Sequence, residues 1–224
     1  MSKICVVPDI HGREFWKKAM NFDGEIVFLG DFFDPYPSEK DVELDIDSLI
    51  KNFEEIRTFA SGNERVHLLW GNHDYHYLQL GYVEGASRFD ILNCEKINIA
   101  LEKAEASFAI AIDGVLFTHA CLNKHWVGQE LKDADDAAKF INSQPTPRLW
   151  EVSPKRGGFD DYSSPIWMDI NEVRKTNQFD FMQVCGHTKL DKVGTIKNVG
   201  NVWCVDSRCC FIVDTKSKTV EVME

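Results

Sequence analysis

The chain has 224 residues, 44% of them hydrophobic, seven cysteines and a formal net charge of -11. That length and apolar content suit one α/β domain over 1–224 with a sizeable core. The acidic balance argues against nucleic acid or an anionic membrane as partner, because phosphate surfaces attract basic faces.

Apolar runs predict strands at 3–8, 25–29, 66–70, 107–112, 115–119, 181–185, 193–197, 202–205 and 210–214. Helical patterns fall at 13–20, 41–60, 88–104, 125–142 and 167–176. The early alternation of strand and helix argues parallel βαβ pairing. The end reads as consecutive short strands, with hairpin signals at "KNVGN" and "DTKSK", so the sheet region is mixed. Residues 143–166, rich in proline, glycine and serine, form a long irregular segment of the kind that often carries function. The cysteines are odd in number, lack C-x-x-C spacing and lie partly in apolar runs such as "KICVV". Reduced core thiols and a cytoplasmic location are therefore expected. The start, "MSKICVVPDI", is too short and polar for a signal peptide, and no apolar run approaches the ~20 residues that span a bilayer.

Five of the predicted strands end in the same way. "KICVV" is followed by Asp9 and His11, "EIVFL" by Gly30, Asp31 and Asp34, and "VHLLW" by Gly71, Asn72, His73 and Asp74. "VLF" runs into Thr118 and His119, and "FMQVC" into Gly186 and His187. In open α/β sheets ligands bind beyond the carboxyl ends of the strands. Imidazole, carboxylate and amide oxygen are suitable ligands for divalent transition metals. Any one of these residues alone reads as a cap or turn former; the ordered set points to a metal site.

The order "DIH … GDFFD … GNHD … TH … GHT" resembles the calcineurin-like metallophosphoesterases from Asp9 to His187. It is most similar to their phosphoprotein-phosphatase branch, which includes small bacterial and phage enzymes of similar length. The resemblance implies two mixed β-sheets packed as a sandwich flanked by helices, with a dinuclear metal site at the strand ends. Asp9 and His11 would bind the first metal, Asp31 would bridge, and Asn72, His119 and His187 would complete the second. His73 would be the general acid, oriented by Asp34. The chemistry agrees: two ions ~3.5–4 Å apart generate hydroxide at neutral pH and clamp phosphoryl oxygens, and imidazole titrates where a leaving alkoxide needs its proton. Manganese is expected first, while Fe, Zn, Ni and Co suit the same ligands.

Two departures from the family pattern stand out. Lys189 in "GHTKL" replaces a second histidine that phosphodiesterase and nuclease branches carry, which favours a monoesterase or pyrophosphatase. Pro35 in "DPYP" replaces the arginine that usually follows G-D-x-x-D and grips phosphate; a guanidinium cannot be replaced by proline. Arg156, in the irregular segment, is the first candidate for the missing cation and Arg13 the second. His76 and its neighbours Tyr75 and Tyr77 are expected on the pocket rim, Asp74 in a turn-forming role, and His67 packed or at a rim. Substrate choice is expected in loops 35–40, 75–88 and 143–166.

The expected function is a cytoplasmic, metal-dependent phosphohydrolase acting by metal-bound hydroxide on phosphate monoesters, a phosphorylated serine or threonine of a protein being one such substrate. A dinucleoside-polyphosphate hydrolase and a phosphodiesterase or nuclease of the same superfamily are the alternatives. A non-catalytic scaffold is remote, since such a protein should have lost ligands.

Overall fold

The computed structural model describes residues 3–38, 42, 44–79 and 87–224, with the backbone alone of Lys175. Among the described residues ten strands form two five-stranded sheets. The first sheet has the order β10 (Thr219–Val222), β9 (Phe211–Asp214), β1 (Lys3–Val7), β2 (Glu25–Phe28), β3 (Val66–Leu68). Its β1–β2–β3 core is parallel, and β9 and β10 add on antiparallel. The second runs β4 (Ala109–Ile112), β5 (Val115–Thr118), β6 (Met182–Cys185), β8 (Val202–Cys204), β7 (Lys197–Val199). There β5, β6 and β8 are parallel, with an antiparallel strand at each edge.

Alternation along each strand builds the layers, since successive side chains point to opposite faces. Ile4 and Val6 of β1 meet Val115 and Phe117 of β5 and Met182 and Val184 of β6 in one apolar cluster between the sheets. Cys5 and Val7 face the other way, into a cluster with Trp16, Phe53, Ile56 and Ile97. On the far side, Ala109 and Leu116 pack against Trp126, Ala137 and Ile141. The result is a sandwich flanked by helices. Each such buried Val, Leu, Ile or Phe contributes roughly 1.5–3 kcal/mol relative to exposure.

The helices are α1 (Ile46–Ser61), α2 (Asn72–Leu78), α3 (Cys94–Leu101), α4 (Lys124–Val127), α5 (Ala134–Asn142) and α6 (Thr146–Leu149). Asp45 caps α1 by accepting from the Asp47 and Ser48 amides, satisfying donors that a helix start leaves open. Leu49, Asn52, Phe53 and Ile56 are its buried stripe. Asn52 accepts from Trp16 Nε1 at 2.9 Å and donates to the Arg13 carbonyl at 3.2 Å, tying α1 to the turn after β1.

Several expected helices differ. The 13–20 pattern is a 3-10 helix over Phe15–Asn21, and 167–176 holds two single 3-10 turns. The 125–142 pattern is broken between α4 and α5, where Gly128 adopts φ +72°. The expected 41–60 helix begins at Ile46, with residues 41 and 43 outside the described residues. The 88–104 pattern shortens to α3. The expected strand at 193–197 instead starts at Lys197 and pairs with β8 as a hairpin.

Candidate metal centre

The proposed ligands come from the ends of β1, β2, β3, β5 and β6, and backbone hydrogen bonds lock those ends together. The His11 amide donates to the Asp31 carbonyl at 2.7 Å, the Gly12 amide to Phe32 at 3.0 Å, and the Gly186 amide to His119 at 2.7 Å. Two contacts join the sheets. His119 Nδ1, from the second sheet, lies 2.8 Å from the Leu29 carbonyl of the first. The His187 amide donates to both Asp9 carboxylate oxygens, at 2.9 and 3.1 Å. The site therefore sits at the seam of the sandwich.

Two glycines admit the carboxylates. A Cβ on Gly71 would lie 2.1 Å from Asp31 Oδ1, and one on Gly186 2.0 Å from Asp9 Oδ2; neither position holds a side chain without displacing a carboxylate. His11, Asp31, Asp34 and His187 all have left-handed backbones, with φ between +45° and +64°. Such conformations cost of order 1–3 kcal/mol each in non-glycine residues and cluster where function holds them.

Asp31 Oδ2 stands 3.6 Å from His11 Nε2 and 3.5 Å from His119 Nε2. Both histidines pair Nδ1 with a backbone carbonyl, His11 with Phe33 at 2.7 Å and His119 with Leu29. A carbonyl only accepts, so the proton is on Nδ1 and Nε2 presents a lone pair. His119 Nε2 is also 3.0 Å from Asn72 Oδ1 and 3.1 Å from His187 Nδ1. Buried acceptors thus face one another around Asp31, an arrangement that a cation satisfies. His11, Asp31 and His73 form one group able to hold a metal ion, and Asp31, His119 and His187 a second, with Asp31 common to both.

The electrostatics agree. Burial pushes the Asp9 carboxyl up to about 7 and raises Asp31 as well. Burial lowers His119, and holds His11 and His187 well below the usual imidazole range. Carboxylates stripped of water and imidazoles kept neutral are the donor set that divalent cations fit. The residues suit the dinuclear centre that the sequence pattern implies.

Beside it, His73 Nδ1 lies 2.6 Å from Asp34 Oδ2, and the Tyr77 hydroxyl donates to the other Asp34 oxygen. Burial raises Asp34 to about 7 and lowers His73 to about 4. The His73 amide donates to Asp31 Oδ1 at 3.0 Å. Asp74 works in the turn, as expected: it accepts from the amides of Gly71, Asp31 and Phe32 at 2.7–2.9 Å.

A cavity of about 290 Å³ opens onto these groups, and Arg88, Arg156 and Trp167 line it with them. Arg156 pairs with Asp169 at 3.0 Å and donates to Thr188 Oγ1 at 2.9 Å. Among the described residues, buried Arg156 Nε, Trp167 Nε1 and His187 Nε2 have no hydrogen-bond partner. Arg13 is buried and donates Nη1 to the Asp9 and Ile10 carbonyls at 3.2 and 3.4 Å.

Three things differ from the sequence reading or were missed by it. His76, Tyr75 and Tyr77 are not on a rim: all are buried, on α2, and His76 packs against Trp150 and Trp167. Arg88, at the end of the 75–88 segment expected to govern substrate choice, reaches the site with its Nη2 3.4 Å from His73 Nε2; no motif marks it. Asp206, just past β8, is a further buried carboxylate, and "WCVDS" repeats the strand-then-Asp pattern that could have found it. His67 pairs with Glu25 at 2.7 Å, away from the metal ligands.

A two-sheet α/β sandwich with clustered imidazoles and carboxylates at its strand ends defines a metallohydrolase scaffold. The calcineurin-like phosphoesterase family model matches residues 2–196; the chain belongs to that family and is a phosphoester hydrolase. No curated protein matches it. Among solved structures, one described as a "putative diadenosine tetraphosphatase" is 15% identical, with a TM-score of 0.53 over 99% of this chain and 93% of the other. A metallophosphoesterase from Sphaerobacter thermophilus is also 15% identical, with a TM-score of 0.50 over 99% and 88%. These likenesses concern the fold. Among the described residues no helix is long and apolar enough to cross a membrane.

Proposed function

We propose that the protein is a phosphomonoesterase of the phosphoprotein-phosphatase type, supported by manganese and working in the cytoplasm as one domain. Asp9, His11, Asp31, Asn72, His119 and His187 hold two divalent cations. When bound, these cations lower the pKa of water and neutralise charge on the phosphoryl oxygens. The observation that carries the metal reading is Asp31 Oδ2, placed between the lone pairs of His11 and His119.

His73 is the acid rather than a ligand. Its Nδ1 proton is committed to Asp34, which fixes the ring and stabilises the imidazolium. Its Nε2 is left toward the cavity, where a leaving oxygen receives the proton. The negative charge of a bound phosphate favours the protonated ring that burial, with the nearby Arg88 and His119, disfavours. Arg156 grips the phosphate with the nitrogen it leaves unpartnered. Arg13, held by the Asp9 and Ile10 carbonyls, adds positive charge from beneath the first turn.

Lys189 supports the monoester preference. An ammonium offers a metal no lone pair, and Lys189 Nζ stands 3.7 Å over the Tyr36 ring. Five of the seven cysteines are buried, the packing of small apolar thiols that the reading of reduced core cysteines needs. The net charge of -11 disfavours nucleic acid as substrate.

The test is a manganese-supported substrate panel of phosphopeptides, mononucleotides, diadenosine tetraphosphate and bis-p-nitrophenyl phosphate. Monoesters should turn over fastest. Preference for the bis-ester would transfer the protein to the phosphodiesterases, and preference for the dinucleotide to the polyphosphate hydrolases.

A further inference from the structure

The two departures from the family pattern meet at one residue. Pro35 displaces the usual arginine, and the next residue, Tyr36, lines the cavity. The Arg88 guanidinium carbon lies 3.8 Å from the Tyr36 ring centroid, and Lys189 Nζ lies 3.7 Å from it. Two cations so close to one centroid cannot share a face without colliding, so they cover opposite faces. His11 meets the ring edge-on at 5.3 Å. Arg88 is further fixed by donating Nε to the Asp34 carbonyl at 2.9 Å, which brings its Nη2 to 3.4 Å from His73 Nε2. Its backbone is left-handed, at φ +62°.

We propose that Tyr36 is a positioning residue that holds Arg88 as a second phosphate-gripping cation beside Arg156, the one that stands in for the arginine lost at position 35, with Lys189 stacked behind. A guanidinium brought to the proton-donor nitrogen stands where a transferring phosphoryl group meets its leaving oxygen. Arg88 therefore reads the phosphate, and Tyr36 acts through it. An aromatic face attracts a cation most when both are shielded from water, and the ring limits the rotamers of a long side chain that otherwise loses entropy on binding. Lys189 on the far face is the counterpart that a histidine at that position would not supply. This inference rests on the phosphohydrolase reading above.

The test is calorimetric binding of inorganic phosphate to the manganese-loaded protein, which needs no turnover. Tyr36→Leu and Arg88→Gln should each weaken phosphate by about tenfold, the loss of one charge-assisted contact. Tyr36→Phe, which keeps the ring, should bind as the unaltered protein does. The double variant should be no weaker than Arg88→Gln alone, because Tyr36 acts through that arginine. Unchanged affinity in Arg88→Gln would overturn the proposal even if Tyr36→Leu failed to fold, and so would additive losses in the double variant. If the unaltered protein hydrolyses no monoester, the preceding reading fails instead.

Discussion

His73 and Asp34 form a buried pair: Nδ1 and Oδ2 are 2.6 Å apart, and the second Asp34 oxygen accepts from Tyr77. The carboxylate is therefore held from both sides, and the imidazole has one orientation. A ring fixed this way presents Nε2 in one direction, as the proposed general acid requires.

Replacement of His73 by Asn should leave both cations in place and remove general-acid assistance, typically worth about 10²–10⁴-fold. The loss should be large for an alkyl phosphate and small for p-nitrophenyl phosphate, whose leaving group needs no proton. Comparing the two substrates alongside metal analysis checks this. Loss of metal in that variant would make His73 a ligand instead.

Gly186→Ala places a methyl 2.0 Å from Asp9 Oδ2. The carboxylate must swing away, and with it the acceptor of the His187 amide. The expected outcome is weaker metal retention with destabilisation of about 1–3 kcal/mol, read by metal titration and thermal melting. Wild-type metal affinity would show that the strand end relaxes without cost.

Metal uptake should release protons. In the metal-free protein burial raises Asp9 to about 7, so below that pH its carboxyl keeps a proton that a cation must displace. The neighbouring imidazoles, shifted the other way, are already neutral and release none. Manganese affinity should thus climb as pH rises toward 7 and level off above it. Calorimetry at pH 6 and 8 in buffers of different ionisation heat measures the proton count. No release at pH 6 contradicts the sign, whereas release at pH 8 reports metal-bound water instead.

Arg156→Ala should raise KM for monoesters severalfold with a smaller change in kcat, since it removes a charge that binds the phosphate in ground and transition states alike. Steady-state kinetics at fixed manganese decide it. An unchanged KM would leave Arg156 as the partner of Asp169 and Thr188 only.

The proposed ligands were legible because each follows an apolar strand and the parallel topology brings strand ends together. Gly71 and Gly186 belong to the same strand-end motifs, and each leaves room for a carboxylate that a Cβ would displace. The helix α2 was not legible: "NHDYHYL" has no apolar stripe, because its buried residues include Asn72, the proposed ligand, His73, the proposed acid, and the turn-bonding Asp74. Function there overrides the pattern that periodicity reads, and His76 was misplaced with it. Arg88 was invisible for another reason. Its contacts with Asp34, 54 positions away, and with Tyr36 arise from tertiary structure alone. Pro35 recorded that a cation was missing, but only the fold could say where one came from.

The central claim is that Asp31 joins two cations into one catalytic centre. Metal content per chain, measured after manganese loading and desalting, tests it when compared between the unaltered protein and Asp31→Asn, with p-nitrophenyl phosphate hydrolysis followed on the same samples. The unaltered protein should retain two ions and turn over, and Asp31→Asn should lose bound metal and activity together. An Asp31→Asn protein that keeps both ions and full activity would contradict the account.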